Sequence, residues 1–177
     1  MKSLTTAVLC LFALFVPVGN ILADNPSEIK LESALDDAKF VLSENQGEKV
    51  VLHFLLKTEC PICLRYTAEY AKLAAKNPDT VHVFIKPDSV QEIKSWFSHL
   101  NKKDLESIPK IFRDPNAKLA KSFGIPDGYQ FHGQSVHFPA LVALDGQGKE
   151  LFRYVGKSNS DRMSVDAFKA KIDSLKK

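Results

Sequence analysis

The chain is of moderate length and nearly balanced in charge. Its 177 residues are 45% hydrophobic and 25% charged, with a formal net charge of +3. This length favours one domain, and the composition is that of an ordinary globular protein. No basic block stands out, and the Lys176-Lys177 end is interpreted as a solvated tail. The charge pattern therefore argues against a protein that binds nucleic acid.

The first residues have the features of an export signal. Lys2 supplies positive charge, residues 7–16 form an apolar core, and Pro17 and Gly19 break it before a cleavage site near Ala23. The apolar run is short for a bilayer span, and an uncleaved membrane anchor is the alternative. We therefore predict a periplasmic or secreted protein with a signal peptide over residues 1–23 and one domain over residues 24–177.

Next come a predicted helix and a predicted strand. Leu31, Leu35, Ala38 and Leu42 recur at helical spacing, which predicts an amphipathic helix over residues 27–44. The run over residues 49–56 is continuous and apolar, which predicts a buried strand.

The strand leads into Cys60-Pro61-Ile62-Cys63, and residues 64–76 then have a helical pattern. The first thiol would lie at the helix N-terminus, where free N–H groups and the positive end of the dipole stabilise a thiolate. Pro61 suits the first helical position because no intrahelical partner is lost there. We predict Cys60 as the nucleophile and Cys63 as the resolving thiol.

Cysteine usage also favours chemistry over architecture. Cys10 is removed with the predicted signal, so Cys60 and Cys63 remain, and an oxidising compartment favours a disulfide. A loop this short constrains the unfolded chain little and is a poor structural staple. A zinc site is the alternative interpretation, but it needs a second pair of ligands, which the sequence lacks.

The rest of the chain alternates between strands and helices and closes with a hairpin and a helix. Val90, Ile93, Phe97 and Leu100 predict a helix capped by Asp88 or Ser89. The other predicted elements are strands at 81–85, 109–113, 140–144 and 151–155, a short helix at 115–123, a loop at 125–138, a turn at 145–148 and a final helix at 165–175. This order predicts an α/β layered sheet.

Together these features resemble the thioredoxin fold, and within it the exported redoxins or TlpA-like thioredoxins, over residues 27–176. The Cys-x-x-Cys unit, the segment Phe138-Pro139-Ala140 before a strand, the final hairpin and helix, and the long separation of Cys63 from Pro139 carry the resemblance. It implies an α/β thioredoxin-like fold, in which helices flank a central mixed sheet and an insert precedes the proline strand. It also implies a cis peptide bond at Pro139, facing the disulfide, with Phe138 and Pro139 binding an extended substrate.

The implied activity is thiol–disulfide exchange with partner proteins. Their disulfides or dithiols are the substrates, a separate redox partner recycles the protein, and no cofactor or metal is needed. The buried acid usual in such proteins is not evident here. Either His53 replaces it as a proton relay, or the relay comes from another group and His53 is a satisfied core histidine. His132 and His137 are interpreted as exposed loop histidines, whereas Lys57 and Arg65 are candidates for lowering the thiol pKa.

Two other functions remain open at this point. A peroxiredoxin-type peroxidase would reduce peroxide with Cys60, although Thr58 lies two rather than three residues before it and Arg113 is a remote candidate arginine. A Sco-type copper chaperone would use Cys60, Cys63 and His137, a soft ligand set suited to copper. Such chaperones usually separate their cysteines by three residues rather than two.

Overall fold

A computed structural model describes residues 29–57, 61–99, 108–131 and 133–175. The predicted signal peptide, residues 58–60 and His132 lie outside the described residues. The strands, in chain order, are β1 (Lys30–Glu32), β2 (Lys39–Val41), β3 (Lys49–Phe54), β4 (Thr80–Lys86), β5 (Ile111–Arg113), β6 (Asp127–Phe131), β7 (Gln134–His137), β8 (Ala140–Leu144) and β9 (Glu150–Val155). The helices are α1 (Pro61–Ala75), α2 (Val90–Ser98), α3 (Lys118–Ser122) and α4 (Val165–Ser174), with 3-10 turns at Leu42–Asn45 and Pro115–Ala117.

A five-stranded mixed sheet forms the centre, in the order β5-β4-β3-β8-β9. β3 pairs in parallel with β4 and antiparallel with β8, while β4 pairs in parallel with β5 and β8 antiparallel with β9. This arrangement confirms the predicted thioredoxin-like α/β fold with a central mixed sheet. β3 is the middle strand of the sheet. Its C-terminal end therefore lies at the centre of the sheet, and α1 is the next helix along the chain.

Both faces of the sheet are covered. Side chains alternate along β3, so that Val50, Leu52 and Phe54 enter one core and Val51 enters the other. The first core lies beneath β1, β2 and α3, and the second lies beneath α1, α2 and α4. Among the described residues, no helix is long and apolar enough to cross a membrane.

The predicted helix over 27–44 is wrong. Residues 30–41 instead form a β-hairpin, in which Lys30 pairs with Val41 and Glu32 with Lys39. Leu31 is buried between exposed neighbours, a two-residue period, whereas Leu35 is 39% exposed and belongs to no core. Of the four residues chosen for the helical pattern, only Leu31 lies in a strand, and β1 and β2 pair with each other in a separate two-stranded sheet.

The predicted loop over 125–138 is also wrong, because β6 and β7 form an antiparallel hairpin there. Tyr129 and Phe131 alternate with polar neighbours before Gly133, a hairpin pattern that was masked by the density of turn residues. The predicted helix after the motif is confirmed. Its buried positions are Cys63, Thr67, Tyr70 and Leu73, which lie one or two positions before those predicted from leucine and alanine spacing.

Candidate active site

Cys63 lies in the first turn of α1 and is disulfide-bonded. Its side chain is only 3% exposed. The sequence has two other cysteines, Cys10 and Cys60, and both lie outside the described residues. The pairing of Cys63 with Cys60, and the role of Cys60 as nucleophile, therefore stay predictions.

The β6–β7 hairpin covers the buried cysteine. Cys63 clusters with Leu56, which follows β3, and with Val136 of β7, and Tyr129 and Phe131 of β6 pack against this cluster. Sequence reasoning placed a loop here and so missed the element that shields the sulfur from solvent. A shielded, apolar environment strengthens electrostatic interactions at the sulfur relative to water.

Lys57 joins the hairpin to the segment before the motif. Its side chain is 2% exposed, and its Nζ lies 2.9 Å from Glu92 Oε1 and donates to Gln134 Oε1 at 3.2 Å. The same ammonium lies 5.5 Å from the centroid of the Phe131 ring. The hydrogen bond from Lys57 is the main cause that lowers the pKa of Glu92 to about 2. Lys57 thus holds β7 and α2 together beside the motif.

Arg162, which sequence reasoning did not select, contacts the cysteine sulfur. Its Nη2 donates to Cys63 Sγ at 3.2 Å, and the guanidinium lies 5.6 Å from the centroid of the Tyr66 ring. The predicted alternative, Arg65, is 66% exposed and reaches Glu69 at 4.0 Å instead. Nothing in the local sequence indicated Arg162, because it lies in a polar loop 99 residues from Cys63.

Phe138 and Pro139 have different surroundings. Phe138 lines an open groove together with Ile62 of the motif, Tyr129 and Lys157. Pro139 is buried against the loop after β9, where its carbonyl accepts a hydrogen bond from Gly156 N at 2.8 Å. The expected cis bond at Pro139 is wrong, because no peptide bond among the described residues is cis. The trans isomer is the intrinsically favoured one, by about 0.5–1 kcal/mol.

Two of the described histidines, His53 and His137, are fully buried. His53 is fully buried and its Nε2 is 2.9 Å from His82 Nδ1. His137 is also fully buried rather than exposed, so that prediction is wrong. Its Nδ1 donates to the Phe138 carbonyl at 2.7 Å, and burial lowers its pKa. Among the described residues, no group of three or more His, Cys, Asp or Glu side chains is arranged to hold a metal ion.

The family model described as Redoxin matches residues 21–171 of the chain. The chain belongs to the redoxin family. No curated protein matches it. The match spans the central sheet, the Cys-x-x-Cys motif and most of α4, so the family covers the whole site described above.

Several solved structures have the same fold. One is a secreted disulfide oxidoreductase of Mycobacterium tuberculosis that is homologous to E. coli DsbE, with 21% identity, 86% of this chain and 100% of that chain covered, and a TM-score of 0.62. A second is the exposed lipoprotein thioredoxin Etrx1 of Streptococcus pneumoniae, with 23% identity, 84% and 99% covered, and a TM-score of 0.64. A third is AhpC of Enterococcus faecalis, with 13% identity, 89% and 93% covered, and a TM-score of 0.72. At these identities the likeness establishes the thioredoxin-type fold.

Family and fold together assign the chain to thiol redox chemistry and to redox enzymes in general. The choice between disulfide exchange and peroxide reduction depends on the site itself.

Proposed function

We propose that the protein is an exported thiol–disulfide oxidoreductase that exchanges disulfides with partner proteins through Cys60 and Cys63. The observation that carries this proposal is the disulfide-bonded Cys63 in the first turn of α1, the helix that follows the central strand β3. A cysteine that forms a disulfide at a helix N-terminus suits reversible exchange, because the positive end of the helix stabilises the thiolate that is released.

The proposed reaction has two displacement steps. Cys60 thiolate attacks one sulfur of a partner disulfide, so that a mixed disulfide forms and the other partner sulfur leaves as a thiolate. Cys63, after losing its proton to solvent, attacks Cys60 Sγ and releases the second partner sulfur as a thiolate. Two electrons pass to the partner, and the same steps reversed oxidise a partner dithiol.

The groove beside the motif supports a polypeptide as the substrate. Ile62, within the motif, is 40% exposed and lies at the groove with Tyr129, Phe138 and Lys157. An exposed aliphatic and two aromatic side chains next to the disulfide suit apolar side chains of an extended chain. In this proposal Phe138 contacts the substrate, while Pro139, which is buried next to it, supports Phe138 in the wall of the groove.

Export is proposed from the N-terminal segment. An apolar stretch with a preceding lysine and a small-residue cleavage site suits a secretory signal, and two of the similar structures are described as secreted or exposed proteins. An oxidising compartment would also keep the Cys63 disulfide formed until a redox partner reduces it.

The test is the reduction potential of the purified protein, measured by equilibration with glutathione or dithiothreitol. We expect a reversible two-electron couple between the thioredoxin and DsbA values, about −270 and −120 mV. The couple should disappear in Cys60→Ser and in Cys63→Ser. In the full chain with its N-terminal segment retained, it should persist in Cys10→Ser. A couple that survives Cys60→Ser would overturn the assignment.

The same preparations discriminate the two alternatives. A peroxidase would consume peroxide rapidly with thiol recycling, and this activity would survive Cys63→Ser for a single turnover but not Cys60→Ser. A copper chaperone would bind copper stoichiometrically and lose it in His137→Ala. We expect slow peroxide consumption and no stoichiometric copper binding.

A further inference from the structure

The loop after β9 is held rigidly against the site. Its first residue, Gly156, is so close to the residues around it that an added Cβ would lie 2.3 Å from the Asp161 carbonyl oxygen and 2.9 Å from Pro139 Cγ. Asp161 accepts from the Tyr154 hydroxyl at 2.6 Å and from Lys157 N at 2.8 Å. The loop therefore turns back sharply and is fixed just before Arg162.

The residue on the other side of Arg162 is fixed as well. The Tyr70 hydroxyl, on the buried face of α1, donates to the Met163 carbonyl at 2.7 Å. Arg162 itself donates from Nη1 to the Asn159 carbonyl and lies over the Tyr66 ring. The guanidinium is thus held by the loop backbone and by α1, and its remaining amino group, Nη2, donates to Cys63 Sγ at 3.2 Å.

We propose that Arg162 stabilises negative charge on Cys63 Sγ during disulfide exchange. This inference rests on the proposed function, in which Cys63 is a thiolate when it attacks Cys60 Sγ and again when it leaves in the reverse reaction. Cys63 is 3% exposed and packs against apolar side chains, surroundings that disfavour a thiolate. The Arg162 guanidinium offsets that cost, because arginine keeps its positive charge in proteins.

Among the described groups around Cys63, Arg162 is a cation that donates a hydrogen bond to the sulfur. From the β6–β7 hairpin, Tyr129 and Phe131 pack against the cluster that contains Cys63, and Tyr66 of α1 lies beneath the Arg162 guanidinium. The ammonium of Lys57 is committed to Glu92 and Gln134. Arg162 therefore brings a positive charge to the sulfur through a direct hydrogen bond.

The experiment separates the two thiol steps within one reaction. Reduced protein is mixed with excess 5,5′-dithiobis(2-nitrobenzoate), and release of thionitrobenzoate is followed by stopped flow. Cys60 attacks the reagent in a first phase whose rate rises with reagent concentration. Cys63 then attacks Cys60 Sγ in a second phase that is independent of reagent concentration and releases the second thionitrobenzoate.

Arg162→Met removes the charge and keeps an apolar side chain of similar length. Because hydrogen bonds to charged groups are strong, we expect the second phase to slow on the order of 10- to 100-fold near neutral pH, with a much smaller change in the first. The pH midpoint of the second phase should rise by about one unit or more. Arg162→Lys should restore part of the rate. Arg65→Met, which removes an exposed arginine of α1, should leave both phases unchanged.

Each outcome decides one of the two claims. Two phases in the parent protein with an unchanged second phase in Arg162→Met would overturn the role of Arg162 and leave the proposed function intact. Equal slowing of both phases, or no rescue in Arg162→Lys, would mean that the residue only holds the loop. A parent protein that releases one equivalent would overturn the proposed function and the role of Arg162 with it.

Discussion

Mild acid is expected to destabilise the protein through two histidines in its core. His53 Nε2 and His82 Nδ1 lie 2.9 Å apart, and the His53 ring stacks on Phe84 with centroids 4.2 Å apart. Tyr70 and Phe168 surround the His53 ring at 5.3 and 5.4 Å. The outer nitrogens, His53 Nδ1 and His82 Nε2, are buried without a hydrogen-bond partner among the described residues. An additional proton on either ring would therefore have no acceptor among the described residues.

The pKa shifts of both histidines give the direction of the effect, and that of His82 gives its size. Burial, and then the neighbouring His82, lower the pKa of His53 well below its usual value, and burial lowers the pKa of His82 from 6.5 to about 4. The unfolded chain binds these protons near pH 6.5, so stability is fully present above that pH and is lost as the pH falls toward 4. At about pH 5, His82 by itself accounts for a loss of about 2 kcal/mol, and His53 adds to it.

The assay compares urea unfolding at about pH 7.5 and about pH 5 in the parent and in the double variant His53→Phe/His82→Leu. The parent should lose at least about 2 kcal/mol more between the two pH values than the variant does, whatever their stabilities at neutral pH. His137 titrates in both proteins and cancels. His99→Gln, at an exposed position, should behave as the parent. Equal losses in parent and double variant would refute the reasoning.

Two further changes test how the site is held in place. Ser89 caps α2, with its Oγ accepting from Glu92 N at 3.2 Å and its N donating to Glu92 Oε2 at 2.7 Å, so Ser89→Ala should lower the unfolding free energy by about 1 kcal/mol. Ser98→Ala, at the other end of that helix, should change it by no more than about 0.5 kcal/mol in the same urea titration. Gly156→Ala should cost about 1–3 kcal/mol by forcing the loop away from Asp161. An alanine variant as stable as the parent would contradict that close approach.

The central elements were predictable because each has a local cause. The apolar run of β3, the Asp145-Gly146 turn before β9 and the serine cap of α2 each specify structure within a few residues. The predicted strands and helices from β3 to β5, and from β8 to α4, are accordingly confirmed. The hairpins at 30–41 and 127–137 were missed, because their strands are short and acquire their pairing only when they dock on the rest of the fold.

The predictions about the candidate site also divide into those that a local pattern supported and those that depended on distant contacts. The Cys-x-x-Cys motif before a helix indicated thiol redox chemistry, and membership of the redoxin family supports it. His137 was wrongly interpreted as exposed, because the loop that it was thought to occupy is a strand with its side chain inside the fold. Lys57 and Arg65 were reasonable neighbours of the motif in sequence, but one pairs with Glu92 and the other with Glu69.

By itself, the amino-acid sequence determined the order of elements from β3 to β5 and from β8 to α4, the position of Cys63 near the start of α1 and the class of chemistry. These properties follow from periodicity, turn residues and the spacing of two cysteines, all of which act over short stretches of chain. Only the tertiary structure decided what surrounds Cys63: the β6–β7 hairpin that buries it and Arg162 that donates to its sulfur. Those contacts join residues as many as 99 positions apart, and no local pattern records which distant side chains the packing of the sheet will bring together.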